Sequence, residues 1–465
     1  MFYTQLTTKS REVQDMMTVN KVIKNLIGVN DIKVKDVNFD ISDQGVRKLI
    51  VDVEPHKNKQ HQCPYCNNGK RLPKYDSCCE AKSWRSLDCG GVLVELKCNT
   101  SRVSCPIHGV VTEAVPWAFP NSRFTKDFDL SVAWLSRTLN KSAISAYMRI
   151  SWATVGRCIT RTLDYLEPDK SSRLKNLKRI GIDETSYSKG HKYITTVVDH
   201  DTNTVVWVSE KHGKSVLETF FKSLTAEQLA GIEVVSGDGA KWITECVQEY
   251  CPSACRCTDP FHIIEWANDA LDSLRKDAWR EAYGELKSLK KEHPRSKGRP
   301  SIDDETAKLI TAATEKAKDI KNSRYALGKA PENLTETQEV RLAQIKSKNK
   351  KLYRAYELKE SLRTLLKIKD VKLAEKELNH WISWARRSRI DSFKNLATKI
   401  KRHKEYILNF IRTGISNARV EANNNKISLL VHRSFGFKNL ENMVSLIMLV
   451  CSNLNVPLPN RPQSA

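Results

Sequence analysis

Arg179-Ile180-Gly181-Ile182-Asp183-Glu184-Thr185-Ser186 is a short apolar strand that ends on carboxylates. The polar, basic loop Ser171 to Lys178 leads into it. The β-rich runs His191 to Val198 and Val205 to Ser209 follow, each bounded by a polar turn such as Asp199-His200-Asp201-Thr202-Asn203. This pattern predicts an antiparallel three-strand meander with Asp183 on its first, central strand. A carboxylate there costs desolvation unless a cation sits on it, which makes Asp183 a candidate metal ligand.

Partners for Asp183 have to come from farther along the chain. Lys214 to Ala230 reads as one amphipathic helix, and Gly231 to Val235 as a strand running into Ser236-Gly237-Asp238-Gly239-Ala240. An Asp between glycines at the carboxyl end of a strand is where an α/β sheet presents ligands, and Asp238 is the second acid. A helix over Trp242 to Tyr250 and a strand over Ala254 to Cys257 lead to Thr258-Asp259-Pro260-Phe261-His262 at the head of a long helix. Asp259 reads as a helix cap and His262 as a polar residue of the first turn, with catalytic support open to both because they share the sheet edge with Asp238. Near the end, Gly414 to Ile427 opens a helix with Ser416 as cap. Glu421 and Asn425 share a face at i,i+4, and Asn417 and Asn424 lie near it. So many asparagines inside a helix sacrifice propensity, which hints at a site. Three acids at one edge cannot all stay ionised without cations, so Asp183, Asp238 and Glu421 should gather two Mg²⁺ or Mn²⁺ ions. Such a pair serves phosphodiester chemistry.

Composition limits the partners. Lys+Arg number 77 against Asp+Glu 54, giving +23 over 465 residues, and the pI is about 9.4. That bias suggests a polyanion such as nucleic acid. No basic amphipathic helix with an aromatic face points to a membrane, and the apolar run Leu446 to Cys451 is too short to span one. The N-terminus has no signal-like apolar stretch, so a cytoplasmic location is expected. In a reducing compartment the 13 cysteines read as metal ligands and buried thiols rather than disulfides.

Among them, Cys63-Pro64-Tyr65-Cys66 and Cys105-Pro106-Ile107-His108 are two ligand pairs, each with a two-residue gap. Tight turns with that spacing present both side chains to one tetrahedral Zn²⁺, and intervening strands can bring the pairs together. Cys78, Cys79, Cys89 and Cys98 lie between the pairs without repeating the gap. Cys255 and Cys257 read as buried thiols on a strand. From Arg123 onward the pattern turns helical: Phe124 to Leu139, Lys141 to Met148, then Ala153 to Leu163 with Ser151 as cap. This is the layout of a helix-turn-helix, with Thr154, Arg157, Thr160 and Arg161 on the polar side of the second helix facing a major groove. A structural three-helix bundle fits the same letters.

The divisions that follow are an N-terminal α+β segment (1–60), a zinc ribbon (61–115), a helix-turn-helix domain (120–170), a first core part (176–268), a basic helical insertion (269–405) and final core helices (406–455). Within the insertion, Lys297-Gly298-Arg299-Pro300 resembles a minor-groove hook carried by Arg299, and an exposed loop explains the same residues.

Together these residues resemble the transposases of the ISL-three family of bacterial insertion sequences. The resemblance rests on Cys63/Cys66 with Cys105/His108, the helix-turn-helix, Gly181-Ile182-Asp183-Glu184, Asp238, Asp259-Pro260-Phe261-His262, Ser416-Asn417-Ala418-Arg419-Val420-Glu421 and Gly436 to Asn442. It implies an α/β fold with an RNase H-like catalytic core, interrupted by a large helical insertion and preceded by the zinc ribbon and helix-turn-helix. It implies Asp183, Asp238 and Glu421 as a metal-binding catalytic triad, with binding of terminal inverted repeats and metal-dependent cleavage and strand transfer of DNA. Work at two element ends calls for a homodimer assembled on double-stranded DNA, in the bacterial nucleoid. The rival readings are a structure-specific nuclease of the same fold and a non-catalytic DNA-binding protein derived from a transposase.

Overall fold

The computed structural model describes residues 19–43, 45–66, 68–78, 80–293, 303–437 and 439–458. The chain divides into two compact units, Met1–Ser172 with Leu429–Ala465, and Arg173–Ser428.

The first unit opens with helix α1 (Val19–Ile27) and strands β1 (Ile32–Ile41) and β2 (Arg47–Pro55). Strands β3 (Lys74–Ser77), β4 (Lys82–Arg85), β5 (Leu93–Cys98), β6 (Ser101–Cys105) and β7 (Gly109–Thr112) follow. They form a four-stranded sheet in the order β1-β2-β5-β4 and a three-stranded sheet in the order β3-β6-β7. The expected boundary between 60 and 61 is therefore not a boundary of the sheet, because β2 pairs in parallel with β5 from the neighbouring segment. The pairing buries Val51, Val53, Leu96 and Trp84 together, and Trp84 meets Trp117 edge-on at 5.5 Å. Helices α2 (Lys126–Ser136), α3 (Lys141–Met148) and α4 (Trp152–Leu166) come next. Asn140 caps α3 through the Ala143 N–H, and Ser151 caps α4 through the Thr154 N–H, as the sequence predicts for Ser151. Arg149, in the left-handed region at φ 53°, makes the turn between them.

In the second unit, β8 (Arg179–Ser188), β9 (Lys192–Asp199) and β10 (Thr204–Glu210) form the antiparallel meander expected from the sequence. The anticipated single helix over Lys214 to Ala230 is two, α5 (Lys214–Lys222) and α6 (Ala226–Ala230). Thr225 and Gln228 form a capping box that restarts the helix, a local signal stronger than the apolar periodicity running through it. Strand β11 (Val234–Gly237), helix α7 (Lys241–Tyr250) and strand β12 (Cys255–Thr258) complete a sheet of order β10-β9-β8-β11-β12, in which β11 pairs in parallel with both β8 and β12. Its interior is apolar: Ile180, Ile182, Val197, Val235 and Phe221 are buried without exposure.

Helix α8 (Pro260–Glu292) then extends for about 50 Å at the α-helical rise. Helix α9 (Asp304–Asn322) packs on it through Ala317 and Ile320 against Ala282, while α10 (Arg324–Gly328), α11 (Glu336–Lys348), α12 (Lys350–Leu365), α13 (Val371–Arg387) and α14 (Asp391–Thr413) pack with it around Leu352, Leu358, Leu378, Trp381 and Phe393. One lysine of this charged stretch, Lys359, is 1% exposed and gives its Nζ protons to the Leu327 and Lys329 carbonyls at 2.8 and 3.1 Å. Helix α15 (Ala418–Arg433) follows, and α16 (Leu440–Cys451) belongs to the first unit. No described helix is long and apolar enough to cross a membrane.

Candidate active site and metal centre

In the first unit, Cys63 and Cys66 lie in a turn, Cys105 ends β6, and His108 sits in the turn before β7. Their ligand atoms all lie within 4.8 Å of one another. His108 Nδ1 is 3.6, 3.4 and 3.6 Å from the sulfurs of Cys63, Cys66 and Cys105, and the Cys66 and Cys105 sulfurs are 3.5 Å apart. A tetrahedral ion with metal–sulfur bonds of about 2.3 Å and a metal–nitrogen bond of about 2.1 Å holds its ligands roughly 3.6 to 3.8 Å apart. The Cys₃His set therefore fits zinc. Burial works against ionising Cys105, yet the backbone N–H groups of His108 and Ile107 outweigh it and bring the thiol down to about 6, which favours the metal-binding thiolate. Among the described intervening cysteines, Cys78, Cys89 and Cys98 stand outside this cluster, and Cys79 lies outside the described residues. Cys257 is buried as expected, and Cys255 is half-buried.

On α4 the four residues expected to face a groove divide. Arg157 is exposed and Thr160 half-buried. Thr154 is buried, its hydroxyl 2.8 Å from that of Ser151 and accepting from Arg157 at 3.0 Å. Arg161 departs from the expectation altogether. Its guanidinium makes a two-pronged bond to the fully buried Asp129 carboxylate on α2, at 2.9 and 2.7 Å, because that carboxylate has no solvent to satisfy it. Arg161 therefore ties α4 to α2, and Thr154 is held within α4 and its cap, rather than either presenting donors outward. Arg299 lies outside the described residues.

The acids belong to the second unit. Asp183 stands within β8, opposite Thr196 of β9, and the strand runs on past it to Ser188 rather than ending there; its Oδ1 accepts from the Glu184 N–H at 2.9 Å and its Oδ2 from Asn424 Nδ2 at 2.8 Å. Burial is the main force on this carboxyl, and with the negative charges of Asp238 and Asp259 it raises the pKa to about 6. Asp238 follows β11, and its Oδ1 accepts from the Ala240 N–H at 2.9 Å, which fixes the side chain within its own loop. Glu421 sits in the first turn of α15; burial raises its pKa, and Asp259 adds to the rise. Helix α15 lies against β8 because Gly181 has no side chain: a Cβ there would collide with Val420 and come within 2.7 Å of His200 Nε2. Buried Asn417 pins the start of α15, accepting from the Ser236 hydroxyl and donating to the Ile182 carbonyl at 3.4 Å. Ser236 in turn lies 2.7 Å from His200 Nε2.

Two expectations change here. Asp259 stands at the N-terminus of α8 without capping it through its side chain. Its Oδ1 accepts instead from the Asn417 N–H at 3.3 Å, while Oδ2 is buried without a partner. Asn425 is exposed, and its neighbour Asn424 is the residue that reaches Asp183. His262 pairs with Glu265 at 2.8 Å; burial pulls its pKa down, but that bond and the fields of Asp238 and Asp259 bring it above the ordinary value. The charges bearing on Glu421 are those of Asp259 and His262. Among the described residues no three carboxylates bring their oxygens within 4.8 Å of one another.

A family model described as a transposase, of the DDE type in family ISL3, matches residues 180–447. A second, described as the helix-turn-helix domain of transposase family ISL3, matches residues 113–162 and indicates DNA binding. The transposase for insertion sequence element IS1557 of Mycobacterium tuberculosis is 40% identical over 444 residues, 95% of this chain and 97% of that protein. The transposase for insertion sequence element IS1001 of Bordetella parapertussis is 25% identical over 337 residues, 71% of this chain and 74% of that protein. The acids that line the sheet edge fall inside the first match and the capped helix pair inside the second, and the chain belongs to the ISL3 family of DNA transposases.

Proposed function

We propose that Asp183, Asp238 and Glu421 are the catalytic acids of an RNase H-like core that cuts and joins DNA at the ends of an insertion sequence. The strand order, three antiparallel strands continued by two parallel ones, supports that fold. The observation that carries the assignment is the placement of Glu421 by Gly181: only a bare backbone on β8 admits the α15 contact beside Asp183. The donors are oxygens alone, with Asp183 and Glu421 both resisting ionisation, and such a set suits hard divalent cations. Bound Mg²⁺ or Mn²⁺ would activate the attacking oxygen and stabilise the leaving one. The chain's own residues do the rest. Asn424 orients Asp183, the Ala240 N–H orients Asp238, and Asn417 holds α15 to the β8 backbone at Ile182 and to the Ser236 hydroxyl on β11. Asp259 and His262 support the acids, the imidazole as a group whose protonated form is favoured by Glu265, Asp238 and Asp259. Asn425, on the exposed side of α15, is a candidate DNA contact.

In the first unit, Zn²⁺ held by Cys63, Cys66, Cys105 and His108 would be structural, since four protein ligands leave no open position. Arg157 and Thr160 are the groups on α4 proposed to meet a terminal inverted repeat, with Arg299 proposed for a minor groove. Two ends require two active sites, so the working form is a homodimer on DNA. Incubating the full chain with Mg²⁺ and duplexes carrying its element's ends tests the reading. Nicking and joining that disappear in Asp183→Asn support it. Nicking without joining would indicate a nuclease, and intact end binding with no Mg²⁺-dependent reaction in the wild type would indicate a DNA-binding protein alone.

A further inference from the structure

Arg256, on β12, is 4% exposed, and among the described residues its guanidinium bonds to backbone carbonyls and to no carboxylate. An unpaired guanidinium in an apolar sheet costs several kcal/mol unless other groups compensate it. Here the compensation is a set of backbone carbonyls. One terminal nitrogen donates to Cys257 O and lies 3.5 Å from both Val235 O and Gly237 O; the other donates to the carbonyl of Asp238 itself. The 3.5 Å contacts are at the weak limit of a hydrogen bond, so the Cys257 and Asp238 carbonyls carry most of the interaction. All four oxygens belong to β12 or to the end of β11 where the chain turns into the Asp238 loop.

We infer that Arg256 is a positioning residue for the second acid, a buried cation that fixes the backbone carrying Asp238 and thereby the direction of its carboxylate. The inference rests on the proposed role of Asp238. Three further observations agree with it. A Cβ on Gly237 would stand 3.1 Å from the Ile182 carbonyl and 3.4 Å from Arg256 Nη2, so the strand end is closed tightly over the guanidinium. The Arg256 carbonyl accepts from Asn409 Nδ2 of α14 at 3.2 Å, which anchors the residue from its other side. Burial lowers the Arg256 pKa to about 10, against a smaller upward pull from Asp238, so the guanidinium stays charged at neutral pH. A lysine reaches with one nitrogen where arginine places two in a rigid plane, so it holds the Cys257 and Asp238 carbonyls less well than the guanidinium does.

Mn²⁺ binding to the full chain, followed by the electron paramagnetic resonance of free Mn²⁺, is a readout that needs no DNA. Asp238→Asn tests the underlying role and should weaken binding at least tenfold; if it does not, Asp238 is no ligand and the inference fails with it. With that response in hand, Arg256→Met should weaken Mn²⁺ binding three- to tenfold, and Arg256→Lys should recover only part of it. Leu217→Ala, a core truncation on α5 that removes none of the hydrogen bonds around Arg256, should lower the melting temperature and leave Mn²⁺ affinity unchanged. Folded Arg256→Met with wild-type affinity would overturn the inference, as would an equal loss in Leu217→Ala. Should Arg256→Met not fold, Asn409→Ala decides, since it loosens Arg256 without stranding a charge: a two- to fivefold weakening supports the positioning role, and unchanged affinity overturns it.

Discussion

The Cys₃His cluster and the acidic edge proposed as the active site draw on metal-ligating side chains in both cases, but they are built in opposite ways. The first takes four residues from two short turns of adjoining strands, with their ligand atoms already at the spacing of a tetrahedron. The second takes Asp183 from within β8, Asp238 from the loop after β11, Asp259 from just before α8 and Glu421 from the first turn of α15, held by Asn417, Asn424 and the missing side chain of Gly181. A closed cluster of that kind supports its fold, whereas the open edge depends on a fold supported from elsewhere. The two should therefore fail differently.

The largest effect is expected at the cluster. Metal binding to such sites is worth about 10 kcal/mol or more and is inseparable from folding. Cys66→Ser, or a zinc chelator, should abolish binding of end-sequence DNA and the melting transition of the first unit while Mn²⁺ binding in the second persists; calorimetry with Mn²⁺ titration checks this. Loss of both together would break the contrast. At the acidic edge, Asp183→Asn should lower the nicking rate by at least about a thousandfold with circular dichroism unchanged. It should also raise the melting temperature in EDTA at neutral pH, because the pKa of about 6 means that the ionised carboxylate opposes folding.

Arg161→Met sharpens the comparison within the first unit. It leaves Asp129 buried with little more than the Ser122 hydroxyl, at 3.0 Å, and should cost about 3 kcal/mol or more of stability. Arg161→Met with Asp129→Leu should recover most of that in denaturant titrations, whereas a residue whose role was DNA contact would show no such recovery. His200 gives the second unit a pH dependence. Burial lowers its pKa to about 4, so the unfolded chain takes up the proton first as the pH drops. Stability is then full above about pH 6.5 and drains toward pH 4, by about 3 kcal/mol in all. His200→Gln should flatten this slope in melts across that window. The smallest effect is expected from Arg157→Ala: a loss of about 1 kcal/mol in DNA affinity and a salt dependence shallower by about one ion, with no change in stability.

Much of the acidic edge was legible because strand ends and glycines mark places where a sheet presents ligands: Asp183 closes an apolar run and Asp238 stands between two glycines. The paired cysteines were legible for a simpler reason, since a two-residue gap is itself the geometry of a turn. Arg256 carried no such mark, because an arginine between two cysteines on a short strand looks like any exposed basic residue until the sheet closes over it. Arg161 misled for the related reason that helical periodicity assigns a face but does not reveal a buried carboxylate waiting on another helix. Asn424 rather than Asn425 reaches Asp183 because the phase of α15 against β8 is set by the Gly181 contact, which no helix pattern contains.

The sequence by itself determined most local elements, the zinc-type ligand pairs and the helix-turn-helix layout, and it nominated three acids, since each depends on spacing within a few residues or on resemblance along the chain. Tertiary structure alone decided which side chains turn inward, which carbonyls surround Arg256 and how far apart the acids stand. Those outcomes depend on the burial of charged and polar groups against partners up to more than two hundred residues away, as between Asn424 and Asp183. The energy of such a contact belongs to the assembled pair and is written in neither segment alone.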